Sequence, residues 1–481
     1  MGQLKCAVGN MMFLSVAKVC TTILGFFYIT LSARYLGPEN YGILTFALAL
    51  TGIFSVLANF GFDPLMVREV AKNQESASKF IVTGLVLKLV CGAVTVLGLF
   101  LIVSLLEEPG TAATVVNIMS LSVVLLAISN IFSNIYQAFH KMLFLSVTQV
   151  ICSLSLLLFA VVGISLNLSV MFFALSYLFA NLILLVLNIL IVSHKLVNIR
   201  CSIDYQYLGK ITKDAWPFAL SAIFISIYYW IDSIMLSYMK GDQVVGLYGA
   251  AYNLMIYSLL VPVVFNTVIF PLMASSTEMR DGLNRLFEHF LRYMIILSVT
   301  LGIFIIVFAS QIVSFVYGIQ YAQSATALQI LIFSAMFIYL NSPFGRVLEI
   351  LNKQRVIMVV TACGAVFNII ANLIVIPIYS FYGASLTTAL TELLILILLA
   401  IYVRYIGVRS SNQIPLTFMK VIISAAIGLL TYHVGTATVG DTTGALLAIC
   451  IYISLLLLLR VPNDYDINII RTIMKRDRHE N

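Results

Sequence analysis

The sequence predicts an all-α polytopic membrane protein with about 14 transmembrane helices. Of its 481 residues, 61% are hydrophobic and only 10% are charged, whereas a soluble domain carries roughly 25% charged residues. The mean hydropathy is +1.05. Apolar runs of about 20 residues recur from end to end, and each is long enough to cross a bilayer core of about 30 Å. A β-barrel would instead show alternating segments of roughly ten residues.

Charged residues and Gly/Pro breaks divide the apolar runs into the predicted spans. No cleavable signal is expected, because the apolar run after Lys5 is too long for a signal-peptide core. The spans lie at about 8–32, 42–66, 80–104, 112–137, 143–165, 170–192, 216–239, 245–272, 290–315, 324–345, 356–377, 384–403, 419–437 and 441–459.

The basic residues predict the orientation of these spans. With an even number of spans, both termini lie on the same side, and 23 of the 27 Lys and Arg residues fall on that side. Arg34 and Lys240 lie on the other side, and Lys18 and Lys88 lie within spans. The positive-inside rule therefore predicts cytoplasmic termini and a multi-pass protein of the cell (plasma or inner) membrane. The net charge of +7 then reflects topology and anionic lipids, with no nucleic-acid partner.

A weak internal repeat predicts two pseudo-symmetric six-helix lobes followed by two further helices. "GILTFALAL" begins at Gly42 after the first span, and "GLYGAAYNL" begins at Gly246 after the seventh. Both place small residues at the start of a helix, where helices can approach closely. The predicted division is 1–200 for the N-terminal lobe, 201–410 for the C-terminal lobe, and 411–481 for spans 13 and 14 with a cytoplasmic tail.

Catalytic and cofactor motifs are not expected. The seven cysteines are scattered without a CxxC pair, and no metal-ligand spacing, nucleophile elbow or P-loop occurs. The predicted external loops are short, about five to ten residues. A membrane glycan polymerase or glycosyltransferase would need a larger loop for its catalytic carboxylates. We therefore predict a protein that is not an enzyme and that uses no cofactor or metal.

Four charged residues inside the spans are the candidate functional residues, because a charge in hydrocarbon is costly. Lys18 lies deep in span 1 and either faces a cavity or makes structural hydrogen bonds. Lys88 in span 3 either faces a cavity or snorkels to the cytoplasmic surface. Asp232 in span 7 and Glu392 in span 12 are either ion-coupling groups or structural acids. The cations fall in the first lobe, which suits an anionic substrate, and the acids fall in the second.

Several segments resemble polysaccharide-biosynthesis flippases of the Wzx type, in the MOP superfamily. The segment 33–72 resembles the first hairpin of these proteins through "ARYLGP", Tyr41-Gly42, Gly61 and Arg68. "WIDSIMLSYMKGDQVVGLYGAAYNL", "VYGIQYAQSATALQIL", "LNKQR" and "IPIYSFYGASLTTALTE" resemble later parts. The resemblance covers essentially the whole chain.

The resemblance implies a MOP/MATE-like fold that works by alternating access around a cavity between spans 1, 2, 7 and 8. The implied cargo is a lipid-pyrophosphate-linked oligosaccharide, carried to the outer leaflet for surface polysaccharide or glycan assembly. The resemblance implies cavity cations mostly from first-lobe spans, which Lys18, Arg68 and Lys88 match by location, although the assignment of Lys18 rests on its depth alone. The candidate substrate-binding residues are Lys18, Arg34, Arg68 and Lys88. The candidate ion-coupling residues, for H⁺ or Na⁺, are Asp232 and Glu392. The partners are this anionic headgroup and the membrane lipids.

A MATE-like multidrug or metabolite antiporter is the alternative. Such a protein moves cationic amphiphiles, which would favour acids in the first lobe. Asp63, near the inner end of span 2, is the first-lobe acid that keeps this alternative open.

Overall fold

The computed structural model describes residues 2–105, 110–198, 205–275, 280–408 and 413–461, and every regular element in them is helical. Two short 3₁₀ turns, Gln74–Ser76 and Ile319–Tyr321, accompany the α-helices. In chain order the α-helices are α1 (Gly2–Asn59), α2 (Phe62–Lys72), α3 (Ala77–Leu105), α4 (Gly110–Ala138), α5 (Met142–Ser165), α6 (Val170–Lys195), α7 (Tyr205–Lys240), α8 (Asp242–Ser258), α9 (Leu260–Ser275), α10 (Arg280–Tyr317), α11 (Ser324–Ile350), α12 (Gln354–Tyr405), α13 (Gln413–Val439) and α14 (Asp441–Leu458).

Two of these helices are double-length and bend in the middle. In α1 the bend lies at Gly37 (φ 73°, ψ 170°), which is followed by Pro38. Glycine adopts positive φ without a steric penalty, and proline has no N–H to continue the helical ladder. In α12 the bend lies at Ser380 (φ 55°, ψ −140°), three residues after Pro377. Each long helix therefore contains two segments separated by a sharp turn of the chain.

The apolar lengths agree with a polytopic membrane protein. Within the described residues, eleven helices are long and apolar enough to cross a bilayer, and Thr442–Leu458 is a shorter apolar helix. The helix α12 contains two predicted spans, and α8 with α9 contains one. The helix α1 contains the first predicted span and most of the second, which continues into α2. The all-α fold class is confirmed, whereas the count of fourteen spans stays a prediction.

Three clusters of buried residues hold the helices together. One joins α2 to α6 within the N-terminal half, which we define as residues 2–198. A second joins α9 to α14 within the C-terminal half, residues 205–461. The third cluster combines α1 with α8, α10 and α11, so it lies between the halves. Both predicted lobe boundaries, 200/201 and 410/411, fall outside the described residues, and the division into lobes stays a prediction.

The halves meet closely beside the bend in α1. A Cβ atom on Gly42 would lie 1.8 Å from the Asp242 carbonyl oxygen, and one on Gly246 would lie 1.9 Å from that of Pro38. Only glycine permits this approach of two backbones. Tyr321 Oη also donates a hydrogen bond of 2.8 Å to the Ala33 carbonyl. The two glycine-rich helix starts noted in the sequence are therefore partners in one contact, and the halves are closed at this end.

Candidate functional site

Lys18 lies in a cleft between the two halves. Its exposed side chain borders two pockets that lie in succession along α1. The first pocket, of about 400 Å³, extends toward the N-terminal end of α1 between α5 and α9. The second, of about 580 Å³, extends toward the Gly37 bend between α1, α7 and α8. We call these two pockets together the Lys18 cleft.

The ammonium group of Lys18 has no ion-pair or hydrogen-bond partner among the described residues. The hydrogen bonds at this position instead involve its carbonyl, which accepts from the Thr21 hydroxyl at 3.0 Å and from the Thr22 hydroxyl at 2.7 Å. Among the residues that the structure describes, no acidic side chain borders either pocket. The cleft therefore offers an uncompensated positive charge beside hydroxyl groups, which is chemistry suited to an anion.

Lys88 is placed very differently, because its side chain is completely buried. Its Nζ donates to Asp63 Oδ1 at 2.5 Å, to Asn59 Oδ1 at 3.1 Å and to the Ala127 carbonyl at 2.8 Å. Asn134 Nδ2 donates to the same Asp63 oxygen at 2.8 Å. In this structure Lys88 neither faces the Lys18 cleft nor snorkels to a surface. Its three donor positions are used within the N-terminal half, so the geometry favours a structural role.

The ion pair between Lys88 and Asp63 is a site that the sequence reasoning missed. From the sequence, Asp63 is treated only as an acid that could attract a cationic substrate. Asp63 and Lys88 lie near the same end of consecutive predicted spans, and this similar depth is the sequence signal that could have indicated their pairing. In the structure this first-lobe acid is neutralised by Lys88 and does not border the Lys18 cleft.

Arg34 and Arg68 are not brought together with Lys18. Arg34 is exposed beside the α1 bend, where its carbonyl accepts from Gln320 Nε2 at 2.9 Å. It lies sixteen residues from Lys18, about 24 Å along the helix. Arg68 is 53% exposed in α2 and pairs with Glu69 at 2.8 Å. Their substrate-binding roles stay predictions, and they would have to act at other points of a transport path.

Asp232 lies in a buried network of oxygen and amide groups in the C-terminal half. Its Oδ1 accepts from Asn372 Nδ2 at 2.6 Å, and its Oδ2 accepts from Thr388 Oγ1 at 2.7 Å and from Tyr248 Oη at 2.8 Å. Asn372 Nδ2 also donates to Asn368 Oδ1 at 3.1 Å. The network joins α7, α8 and both segments of α12. Asp232 is therefore held by three hydrogen bonds to side chains of α8 and α12.

Glu392 forms a second buried acidic site one helical turn away. Its Oε1 accepts from the Tyr228 hydroxyl, and its Oε2 accepts from Asn341 Nδ2 at 2.8 Å. Tyr228 precedes Asp232 by four residues on α7, and Glu392 follows Thr388 by four residues on α12. Residues four apart lie on the same face of a helix. The two acids therefore occupy successive levels of the α7–α12 interface.

No basic residue pairs with either acid among the described residues. Asp232 accepts from one amide N–H and two hydroxyl groups. The oxygens of the carboxylate, of the two hydroxyls and of the nearby Asn368 amide are ligand types that hard cations prefer. A buried acid without a counter-charge can bind a cation or a proton. Across the described residues no cluster of three or more His, Cys, Asp or Glu side chains occurs. The ion-coupling roles of Asp232 and Glu392 stay predictions.

The fold and the cleft define a multi-pass membrane protein built as two helical halves around a pocket with an unpaired cation. A family model described as polysaccharide biosynthesis protein matches residues 7–277, which is more than half of the chain. The chain belongs to this family, and the resemblance inferred from its motifs is confirmed. A second model, MatE, matches residues 217–374.

Relatives and one solved structure agree with this membership. A Shigella dysenteriae protein named as an O-antigen transporter is 26% identical over 38% of this chain and 46% of the relative. A Haloferax volcanii protein named as a low-salt glycan biosynthesis flippase is 24% identical over 34% of this chain and 35% of the relative. These matches span less than half of each relative. The structure of the lipid II flippase MurJ in an inward closed conformation superposes with a TM-score of 0.74, covering 93% of this chain and 98% of MurJ at 14% identity, which shows a common fold.

Proposed function

We propose that the protein flips a lipid-pyrophosphate-linked oligosaccharide from the cytoplasmic to the outer leaflet by alternating access, for surface polysaccharide or glycan assembly. The observation that carries this proposal is the unpaired Lys18 ammonium in the cleft between the halves. The names of the Shigella and Haloferax relatives, an O-antigen transporter and a glycan flippase, support it. The protein then acts as a transporter of the cell membrane, with both termini in the cytoplasm, and not as an enzyme.

The substrate explains why a cation is useful in this position. A pyrophosphate with attached sugars cannot enter hydrocarbon unaided, because charge and hydroxyl groups lose their hydration there. An ammonium group in a partly enclosed cleft replaces part of that hydration by a charge-assisted hydrogen bond. The lipid tail remains in apolar surroundings throughout. Lys18 therefore compensates the part of the substrate for which crossing is most costly.

The acidic sites support a cation-coupled version of this transport. Asp232 and Glu392 lie in the C-terminal half, away from the charge of Lys18, and their hydrogen bonds join α12 to α7, the helix that borders the Lys18 cleft through Tyr229. Binding of H⁺ or Na⁺ there would favour one arrangement of α7 against α12. A bound ion can shift a conformational equilibrium only by its difference in affinity for the two states.

The experiment that tests the proposal is flipping of a fluorescent polyprenyl-pyrophosphate oligosaccharide in proteoliposomes. Lys18→Ala should abolish flipping, Lys18→Arg should retain part of it, and Lys353→Ala is the matched control because Lys353 is an exposed lysine in the turn between α11 and α12. Equal flipping by Lys18→Ala and the parent protein, at equal reconstituted amounts, would remove Lys18 from the mechanism.

A MATE-like antiporter is the second candidate function. The match of the MatE model to residues 217–374 favours it, as do the buried acids in that region. A cationic drug would need a negative group in the cleft, however, and the described part of the chain places no acidic residue on either pocket. Efflux of a cationic dye that depends on Asp232 and is unaffected by Lys18→Ala would favour the antiporter over the flippase.

A further inference from the structure

The Lys18 cleft has different chemistry on its two sides. The pocket toward the N-terminal end of α1 contains mainly aliphatic side chains, including Leu14 of α1, Leu145 of α5 and Val264 of α9. Its polar members besides Lys18 are Ser15, Gln137 and Gln149. Val264 is 43% exposed although it is apolar. Apolar side chains that line a cavity can be covered by an apolar ligand at no desolvation cost to themselves. This side of the cleft suits a hydrocarbon chain.

The pocket toward the Gly37 bend shares the aliphatic Leu260 and Val263 with the first pocket and adds to them aromatic rings and hydroxyl groups. Tyr229 of α7 is 45% exposed, and Tyr257 of α8 packs edge-on against Phe26 with ring centroids 5.2 Å apart. The hydroxyls of both tyrosines have no hydrogen-bond partner among the described residues. Thr21 and Thr22 also border this pocket on the α1 side; their hydroxyls donate to the Lys18 carbonyl, so their oxygens can act only as acceptors for a ligand. At about 580 Å³, the pocket lies within the range of about 300–1,000 Å³ that is usual for ligand sites.

The chemistry along α1 therefore follows the order aliphatic, cationic, aromatic with hydroxyls. A lipid-linked oligosaccharide has the same order: isoprenoid tail, pyrophosphate, sugar. One face of a pyranose ring carries C–H groups that pack flat on an aromatic ring, while its hydroxyls need hydrogen-bond partners at the ring edge. Tyrosine supplies a rigid apolar face and a polar tip in one side chain.

We infer that the first sugar of the substrate stacks in the pocket formed by Tyr229 and Tyr257, with its pyrophosphate on Lys18 and its first isoprene units in the aliphatic pocket. This inference rests on the proposed function and adds to it an orientation of the substrate and two specificity-determining residues. The sugar points toward the closed end of the cleft beside Gly37. The tail points toward the N-terminal end of α1.

Two probes separate the sugar contact from the pyrophosphate contact: radiolabelled farnesyl pyrophosphate, and farnesyl pyrophosphate carrying one N-acetylglucosamine on its terminal phosphate. Equilibrium binding is measured on the purified full chain in detergent. We expect the double variant Tyr229→Ala/Tyr257→Ala to bind the sugar probe about tenfold more weakly, which corresponds to about 1.4 kcal/mol. Its binding of farnesyl pyrophosphate should remain within about twofold of the parent, which also shows that the variant is folded.

Two further variants sharpen the test. Tyr229→Phe/Tyr257→Phe keeps both rings and should retain most of the preference for the sugar probe. Gly25→Leu should reduce sugar binding, because a Cβ atom on Gly25 would already lie 3.5 Å from the Tyr257 hydroxyl and a larger side chain would occupy the pocket. A Tyr-to-Ala double variant that keeps the sugar preference, or that loses both probes equally, overturns the inference.

The proposed function fails in a different way. If Lys18→Ala binds both probes as well as the parent does, Lys18 does not hold the pyrophosphate, whatever the tyrosines do. If Lys18→Ala weakens both probes while the tyrosine variant is unchanged, the proposed function stands and the sugar site is wrong.

Discussion

The Lys88–Asp63 ion pair allows a quantitative test, because its two members differ in burial. The Lys88 side chain is 0% exposed, whereas that of Asp63 is 27% exposed. Asp63→Asn would leave the Lys88 ammonium buried with only neutral acceptors, Asn59 and the Ala127 carbonyl. Removing one partner of a buried ion pair costs about 3–5 kcal/mol. We expect this substitution to reach that range.

Lys88→Met should be milder. The Asp63 carboxylate would remain partly in water and would keep the 2.8 Å hydrogen bond from Asn134. Losing one partner of a partly exposed group costs about 1–3 kcal/mol. In the double variant Asp63→Asn/Lys88→Met no charge remains to be compensated, and replacing a whole buried pair is often close to neutral. We therefore expect the double variant to be more stable than Asp63→Asn alone.

Reversible unfolding of the four purified proteins in mixed detergent micelles gives the double-mutant cycle. Contacting groups in one network show coupling energies of about 0.5–3 kcal/mol, and we expect a value near the upper end. Flipping is then measured with equal amounts of folded protein. Additive effects on the free energy of unfolding would refute the structural interpretation. A stable double variant that binds no substrate would return Lys88 to substrate binding.

Three further predictions address closure and coupling. Gly42→Ala should prevent the halves from closing beside the α1 bend, because its Cβ would lie 1.8 Å from a carbonyl oxygen; a cysteine reporter near Arg34 should label faster. Gly345→Ala is the matched control, since nothing lies within 4 Å of its Cβ, and equal labelling would contradict the prediction. Asp232→Asn should remove the ion dependence of flipping, a coupling of about 1–3 kcal/mol, and an unchanged ion-gradient response would exclude this site. The variant Glu392→Gln should flip substrate at a rate that no longer depends on pH, which pH-jump assays measure. If its flipping still responds fully to pH, the proton binds at another residue.

Much of the fold could be predicted from the sequence, because bilayer thickness fixes the length of an apolar span. The predicted span 112–137 lies within α4 (Gly110–Ala138), and 143–165 coincides with α5 (Met142–Ser165) to within one residue. Both segments end at polar or charged residues, where hydrocarbon burial stops being favourable. The predicted breaks 33–41 and 378–383 contain the bends at Gly37 and Ser380. Hydropathy does not show that the helix continues almost without interruption on both sides of each bend, so the double-length helices α1 and α12 needed the structure.

The candidate site was less predictable, because depth along a span does not reveal the face on which a side chain lies. Lys18 and Lys88 both lie deep in apolar runs, yet one is unpaired in the cleft and the other is neutralised within its own half. The difference depends on the face of the helix that each lysine occupies and on the position of Asp63 beside Lys88. The order of the spans along the chain specifies neither of these. Hydrogen bonds from Thr388 to Asp232 and from Tyr228 to Glu392 span 156 and 164 residues. Partners so distant in sequence are set by tertiary packing.

The structure also changes the meaning of the charge segregation seen in the sequence. The sequence places two cations in spans of the first lobe and two acids in spans of the second. Of these two cations, Lys88 is paired with Asp63, whereas Lys18 has no ion pair among the described residues. The opposing sites then meet at one point of α7. Tyr229 borders the Lys18 cleft, and its neighbour Tyr228 donates to Glu392, with the two rings 5.4 Å apart. Adjacent residues on a helix face different sides, so any rotation of α7 that alters the Glu392 contact also moves a wall of the cleft. We therefore expect a change of proton or cation occupancy in the C-terminal half to affect substrate binding through this turn of α7, without a direct contact between substrate and ion.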